Sequence, residues 1–422
     1  MVQYTIPEQV VRMKIWDINN SSSIRIHRAI AKIIITDMEP IQVVQKTGFV
    51  ELMRVLERRY TVPSRKYFSE QLIPEINDEV CAQLLVILDP VTSPFLSFTT
   101  DTWTSGNTVQ SFMGLTAHWL TEHFENMSFV LDCKPFIGHH TAPALMTAFQ
   151  QMLDKWNIDV GRCNVVLHDN AANISKYFRD AIIDSLGCFA HTIQTCVHDG
   201  LLNQRAVSDI ISIAKKLRRA LTVYCSEVDE TYCPTAYQWS VAENLVCVVA
   251  PFEEATREVS YKTAHISLVI PVVTALRNLL KNEGNNAGVK TMKSTLLKSL
   301  DEHYSSTSSS LLWRCIDEIV QSTSAPEQQL PTSIDTQLSQ YLAEPEINRL
   351  ADPLQWWSKN MHRLPALATV ARIYLGAPPT SVPSERLFSV AGEVLNDHRS
   401  SLLPHNAARL IFLKYNSKLI KD

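Results

Sequence analysis

The sequence lacks the features of a secreted or membrane-bound protein. Its nine cysteines are an odd number, and no two of them form a C-x-x-C pair. This usage is typical of a reducing compartment, where thiols stay free and mostly buried. No charged segment followed by an apolar run opens the chain, so we expect no signal peptide. Because no apolar run approaches about 18 residues, we expect neither a membrane-spanning helix nor a membrane partner.

The sequence also lacks a strong excess of charge of either sign. Its formal net charge is −4, which neither supports nor excludes a nucleic-acid partner, because local patches decide such binding. The run KKLRR at 215–219 lies in a helical pattern and is a weak nuclear signal. A second basic cluster is either a solvated helix face or a contact to a phosphate backbone. It comprises Arg54, Arg58, Arg59, Arg65 and Lys66.

The first half of the chain predicts helices followed by a mixed sheet. Apolar spacing of three to four residues predicts a helical N-terminal region over 1–90. The next segment, 91–200, alternates strand and helix patterns, which predicts an α/β fold with a mixed sheet. Its predicted strands are 95–100, 110–120, 127–133, 164–169 and 188–191, and its predicted helices cover 142–156, 171–183 and the residues from 192.

The second half of the chain has mostly helical patterns. We predict a helical block over 201–345, in which the Ser-, Thr-, Pro- and Gln-rich segment 321–337 is a linker or surface loop. The last block, 346–422, is helical again and has a proline-rich break at 375–386. With 422 residues, of which 45% are hydrophobic, the chain can bury a substantial core.

Three acidic residues are candidates for a metal site. Asp101 follows the first predicted strand and Asp169 follows the fourth, so both carboxylates would meet at one end of the sheet. Two such groups suffice for a hard divalent cation. The alternative is that they are a turn residue and a helix N-cap. Glu385 lies in the first turn of a helix after Pro383, where helix chemistry alone explains an acid.

Several motifs resemble the hAT superfamily of transposases. The segment PPTSVPSERLFSVAGEVLNDHRSSLLPHNAARLIFLKYN closely resembles the family's C-terminal dimerisation segment. FTTDTWTS, CKPFIGHHTA, VVLHDNAAN and CFAHTIQTCV resemble its RNase H-like core. VVAPFEEATREVS is similar to text in vertebrate BED-type zinc-finger proteins derived from these elements. The resemblance extends from about residue 23 to 416.

The resemblance implies an RNase H-like core that a helical insertion domain interrupts. It implies that Asp101, Asp169 and Glu385 form the catalytic DDE triad and bind Mg²⁺, or Mn²⁺, if the protein is active. Cys188 and His191 match the family's C-x-x-H motif. Because two further zinc ligands are not evident nearby, we interpret this pair as a buried cysteine and a core-facing histidine.

The sequence departs from the family pattern in two places. No paired Cys and His precede residue 23, and the first cysteine is Cys81, so we expect no BED zinc finger in this chain. The family's Arg-Trp motif is missing from 215–245, and Trp239 aligns better with a later family tryptophan, so the insertion looks shortened. Both departures put transposition in doubt.

The C-terminal block carries the apolar residues expected to mediate dimerisation. Most of its apolar side chains should belong to the core, and some to a surface between subunits. The residues predicted for that surface are Leu387, Phe388, Val390, Leu410 and Phe412. We expect a homodimer, or a heterodimer with related proteins.

These observations favour a domesticated or degenerate hAT transposase-like nuclear protein that dimerises and associates with DNA or chromatin. The alternative is an active metal-dependent transposase or nuclease that cleaves DNA phosphodiesters. A third interpretation, the product of a dead element without selected function, stays open. Because the finger is absent and the insertion is shortened, the sequence favours a protein without enzymatic activity.

Overall fold

The structure is a computed structural model, in which the N-terminal region is mostly helical from residue 15 onward. It describes residues 15–105, 111–136, 141–181, 183–202, 236–282, 288–304, 334–345, 351–394 and 403–421. The N-terminal helices are α1 (Ser21–Thr36), α2 (Thr47–Leu56), α3 (Arg65–Tyr67) and α4 (Ile73–Ile87). Buried residues of α1 and α4 belong to the same apolar cluster as the sheet that follows. The region is therefore packed on the sheet and is not a separate core.

The predicted mixed sheet is confirmed. Its strands are β1 (Leu96–Thr104), β2 (Ser111–Leu120), β3 (Asn126–Phe136), β4 (Cys163–His168) and β5 (Ser185–Gly187), in the order β3-β2-β1-β4-β5. The first three strands are antiparallel neighbours, whereas β1, β4 and β5 run parallel. Nine of the ten residues of β2 are buried, as expected for a strand near the sheet centre that is covered on both faces.

The fifth strand differs from its predicted position. It covers 185–187, and the segment 188–191 instead begins helix α7 (Phe189–Leu202). A short apolar run does not distinguish a strand from the start of a buried helix. The connecting helices α5 (Ala142–Lys155) and α6 (Ala172–Asp180) agree with the prediction to within three residues at each end.

The described parts of the predicted helical block are helical and have a core of their own. Helices α8 (Ala236–Val259), α9 (Val269–Lys281) and α10 (Lys290–Tyr304) share an apolar cluster with α7. Residues 215–235, with the expected Arg-Trp position and KKLRR, lie outside the described residues, as does the side chain of Trp239. In the described part of the chain, no helix has the length and apolar character needed to cross a bilayer.

The predicted linker 321–337 is partly helical. Residues 321–333 lie outside the described residues, but 334–337 begin helix α11 (Ile334–Leu342). Gln337 of this helix is buried, and its side-chain oxygen accepts a hydrogen bond from the Ala366 amide at 3.0 Å. The end of the predicted linker is therefore packed and not a surface loop.

The C-terminal helices complete the core around the sheet. They are α12 (Pro353–Asn360), α13 (Pro365–Leu375), α14 (Val382–Val394) and α15 (Pro404–Tyr415). Helix α14 lies directly on β1 and β2. At Gly114 of β2, a Cβ atom would lie 2.8 Å from Leu387 Cδ2 and 3.1 Å from Phe388 Cζ. Any larger residue there would displace Leu387 or Phe388, because the helix approaches the strand so closely.

The residues predicted for the dimer surface are part of this core. Leu387, Phe388, Leu410 and Phe412 are at most 4% exposed in the single chain, and Val390 is partly buried against the same cluster. This corrects the prediction for these side chains. A helical apolar face shows that a surface is covered, but not whether the chain itself or a partner covers it.

Candidate carboxylate site

Two of the predicted acids meet at one end of the sheet. Asp101 lies within β1, paired with Gly114, and not after the strand as predicted. Asp169 directly follows β4, as predicted. The two strands are parallel, and Thr99 lies opposite Leu167. Two residues further along each strand, the same register brings Asp101 beside Asp169, on adjacent strands.

Glu385 reaches this site from α14, almost 300 residues further along the chain. It lies in the first turn of the helix, as predicted. A buried hydrogen-bond chain attaches that turn to the sheet: Ser384 Oγ lies 3.0 Å from Thr99 Oγ1, which lies 3.1 Å from His118 Nε2. Trp103 and Phe388 stack with their ring centres 6.0 Å apart. These contacts fix the helix start next to β1.

Burial and like charges raise the pKa of Asp101 to about 7. Burial of the carboxyl group is the largest cause, and the negative charge of Asp169 is the next. The charge of Glu385 adds to the increase, whereas the Thr102 amide, 2.8 Å from Oδ1, and the nearby His191 oppose it. The structure therefore concentrates carboxyl groups beside the end of β4, where a cation would relieve their repulsion.

The C-x-x-H pair also belongs to this site. Cys188 is buried, in agreement with the sequence. His191 does not face the core, which corrects the prediction: its Nδ1 lies 3.8 Å from Glu385 Oε1. The contact with Cys188 is the main cause that raises the pKa of His191 to about 9, so this imidazole is protonated at neutral pH. Burial acts to raise the pKa of Cys188, but contacts with His191 and Ser381 outweigh it and lower the pKa.

The distances between ligand atoms show which residues lie close enough together to share a metal ion. The ligand atoms of Cys188, His191 and Glu385 lie within 4.8 Å of one another, and no other trio of His, Cys, Asp or Glu among the described residues does so. The three predicted carboxylates therefore interact electrostatically without forming a trio at that spacing. Glu385 is directed toward His191 and accepts a hydrogen bond from Ser381 Oγ at 3.0 Å.

Oxygen ligands and concentrated negative charge fit Mg²⁺ or Mn²⁺ in chemical type. Asp101, on β1, and Asp169, directly after the parallel β4, already lie on adjacent strands. The side chain of Glu385 would have to turn away from His191 to join them. The ligand atoms are of the right chemical type for the metal. Because Glu385 is directed toward His191, the three carboxylates do not form a complete metal site in this structure.

Sequence reasoning missed the residues that hold α14 in place. Ser384 and Thr99 are 285 positions apart, and His118 lies on a third element. Ser381 contacts both Cys188 and Glu385 through its amide and hydroxyl groups. The only signal in the sequence is that Thr99 and Ser384 stand close to two predicted acids, which does not identify their contact.

Two family models match parts of the chain. Residues 99–188, which contain most of β1 and all of β2 to β5, match a ZBED1 RNase-like domain. Residues 337–417, which contain α12 to α15, match the hAT family C-terminal dimerisation region. The first range includes Asp101 and Asp169, and the second includes Glu385.

Curated relatives agree with these matches. Human zinc finger BED domain-containing protein 4 is 24% identical over 528 residues, covering 94% of this chain and 44% of the relative. Human zinc finger BED domain-containing protein 6 is 23% identical, covering 60% of this chain and 32% of the relative. A putative AC transposase from Zea mays is 25% identical, covering 38% of this chain and 21% of the relative. The chain spans less than half the length of these relatives.

The sheet, the two matched regions and these relatives together define a protein derived from a hAT transposase. Within that class, the chain is similar to the BED-type zinc-finger proteins, as the sequence motifs predicted.

Proposed function

We propose that this transposase-derived protein acts in the nucleus as a dimer that associates with DNA. The match of 337–417 to a dimerisation region carries the proposal. The strand order, with Asp101 on β1 and Asp169 directly after β4, supports the RNase H-like core that the resemblance implies. The similarity to a putative transposase supports the association with DNA. The alignment to protein 4 is longer than this chain, so that relative has segments that this chain lacks, consistent with a shortened insertion.

The dimer surface has to use side chains that the single chain leaves exposed. Within the matched region, helix α11 presents Leu338, Tyr341 and Leu342, which are 40%, 39% and 73% exposed. Apolar side chains grouped on one helix are typical of a surface that a partner covers. Tyr341 also packs against Trp357, so this part of α11 is held on the folded chain. We therefore assign the dimer contact to α11.

Leu342→Asp is expected to weaken the dimer at least tenfold, because it places a charge in an apolar contact. Light scattering over a concentration series would measure the dissociation constant. Val86→Asp is the matched control, since Val86 is also 73% exposed but lies on α4, outside the matched region. A parent protein that stays monomeric at micromolar concentration would contradict the proposal, as would equal weakening by both variants.

A second candidate function is metal-dependent cleavage of DNA. The raised pKa of Asp101 between Asp169 and Glu385 favours it, because such clustered acids are typical of metal sites. In this function Asp101, Asp169 and Glu385 would hold Mg²⁺ or Mn²⁺, which supplies positive charge to the phosphate that is attacked. Protonated His191 would add a further positive charge beside the site.

A nicking assay on supercoiled plasmid tests this candidate. With Mn²⁺ present, we expect Asp101→Asn to lower the cleavage rate at least a hundredfold, because it removes a ligand charge from the metal. Asp180→Asn, at the exposed end of α6, is the control and should cleave like the parent. Absence of nicking in the parent, or equal nicking by parent and Asp101→Asn, would remove the candidate and leave the DNA-associated dimer.

A further inference from the structure

A cavity lies beside the carboxylate site, and Asp101, Asp169 and Glu385 are not among the residues that line it. It has a volume of about 450 Å³ and lies over β2 and β3, where Thr116, His118 and Ser128 line it. The next residue of α14 after Glu385, Arg386, lines this cavity, whereas Glu385 lines a neighbouring one with His191. The volume falls in the range of small-molecule sites, roughly 300–1,000 Å³.

The cavity has positive charge and no negative charge in its lining. Arg386, Lys418 and Lys262 contribute to its wall, and no Asp or Glu is among the described residues that line it. The Arg386 guanidinium donates to the Ser260 carbonyl at 2.8 Å, and the structure records no carboxylate within salt-bridge distance of it in the described chain. Lys418 Nζ lies 3.8 Å from the centre of the Phe129 ring. Neither cation therefore has an acidic partner within salt-bridge distance in the described ranges.

One polar group in the lining of the cavity has no hydrogen-bond partner in the described part of the chain. Thr116 is 3% exposed, and its hydroxyl has no hydrogen-bond partner among the described residues. A buried hydroxyl without a partner is uncommon in folded proteins. Burial lowers the pKa of His118 to about 3, so His118 contributes hydrogen bonding and no charge. The positive charge of the cavity thus comes from the arginine and the lysines.

The walls of the cavity are tied together in the folded chain. The segment 259–265 and the segment 376–380 both line it. The Ile266 amide donates to the Ala377 carbonyl at 3.1 Å, and His265 Nδ1 lies 2.9 Å from the Leu375 carbonyl oxygen. These contacts join the two segments directly, so the cavity is formed before a ligand enters.

We propose that this cavity binds a small phosphate ester of about nucleotide size. Arg386 and Lys418 hold the phosphate, because a guanidinium and an ammonium match its charge and its several acceptor oxygens. Val130, Val259 and Pro379 provide apolar contacts for the rest of the ligand. The proposal rests on residues other than Asp101, Asp169 and Glu385, and it does not depend on the function proposed above.

Isothermal titration of the full chain with three probes tests the proposal: adenosine monophosphate, inorganic phosphate and adenosine. We expect the monophosphate to bind at least tenfold more tightly than adenosine, and inorganic phosphate to compete with it. Arg386→Gln and Lys418→Gln should each raise the dissociation constant for the monophosphate about tenfold, which corresponds to about 1.4 kcal/mol. Lys359→Gln, an exposed lysine on α12 outside the cavity, is the matched control and should bind like the parent.

Arg386 is next to Glu385 in the chain, whereas Lys418 is not. If Arg386→Gln alters the carboxylate site, Lys418→Gln still tests the cavity alone. Unchanged melting temperatures without ligand would show that each variant is folded. Absence of binding by all three probes would overturn the proposal, as would equal affinity in the parent and Lys418→Gln. Binding of a short single-stranded oligonucleotide that the monophosphate does not displace would assign these cations to a nucleic-acid strand, and would also overturn it.

Discussion

Asp101→Asn is expected to make the folded protein more stable above neutral pH. The pKa of this carboxyl group rises from 3.8 in the unfolded chain to about 7 in the fold. Its contribution to stability is therefore fully present below about pH 4 and is lost as pH rises through 7. At pH 8 the ionised group is buried beside Asp169 and Glu385. The difference in pKa corresponds to at most about 4 kcal/mol, which asparagine would recover.

Urea denaturation at pH 5 and pH 8 measures this effect. The free energy of unfolding of the parent should fall more between the two pH values than that of Asp101→Asn. Asp180→Asn, at the exposed end of α6, is the control and should follow the parent. The same pH dependence in parent and Asp101→Asn would contradict the electrostatic description of the site.

Addition of Mg²⁺ or Mn²⁺ separates a metal site from a mere cluster of acids. A cation that binds the folded state stabilises it by mass action. At pH 8 the cation should stabilise the parent and leave Asp101→Asn nearly unchanged. Equal stabilisation of both proteins would show that Asp101 does not bind the ion.

Phe388→Ala is expected to destabilise the single chain by about 3–5 kcal/mol. The side chain is 4% exposed and stacks on Trp103. It also lies against Gly114, where a Cβ atom would come within 3.1 Å of the ring. Removing the ring leaves a cavity under α14, the helix that carries Glu385, so we expect the divalent-ion effect to weaken as well.

Urea unfolding at a protein concentration below the dimer dissociation constant tests the core position of Phe388. Leu403→Ala is the matched control, because Leu403 is 56% exposed and should change stability by less than about 0.5 kcal/mol. If Phe388 instead formed a dimer surface, Phe388→Ala would weaken association and leave unfolding of the monomer unchanged. That result would restore the dimer contact predicted from the sequence.

The strands were predictable because their patterns are local. The ranges 95–100, 110–120, 127–133 and 164–169 correspond to the first four strands, although β1 continues past Asp101 to Thr104. The predicted fifth strand begins three residues after the observed one, because a three-residue strand carries too little pattern to locate. The apolar residues of α14 and α15 predict a surface that lies mostly in the core and partly between subunits, but their spacing does not tell which side chains belong to which.

The sequence by itself determined the elements and the acids they carry. Alternation and helical spacing act over a few residues, so they predict a mixed sheet with Asp101 and Asp169 near the ends of two strands. The motifs around those acids and around Glu385 identified the relationship to hAT transposases. None of these predictions depends on which elements far apart in the chain are in contact.

Only the tertiary structure decided how those elements meet. It brought Glu385 beside Cys188 and His191, and it buried Leu387 and Phe388 within the single chain. It also joined two loops into a cavity that contains Arg386. These outcomes depend on contacts between residues far apart in the chain. Such contacts are set by how α14 packs on the sheet, and a local pattern contains no information about that packing.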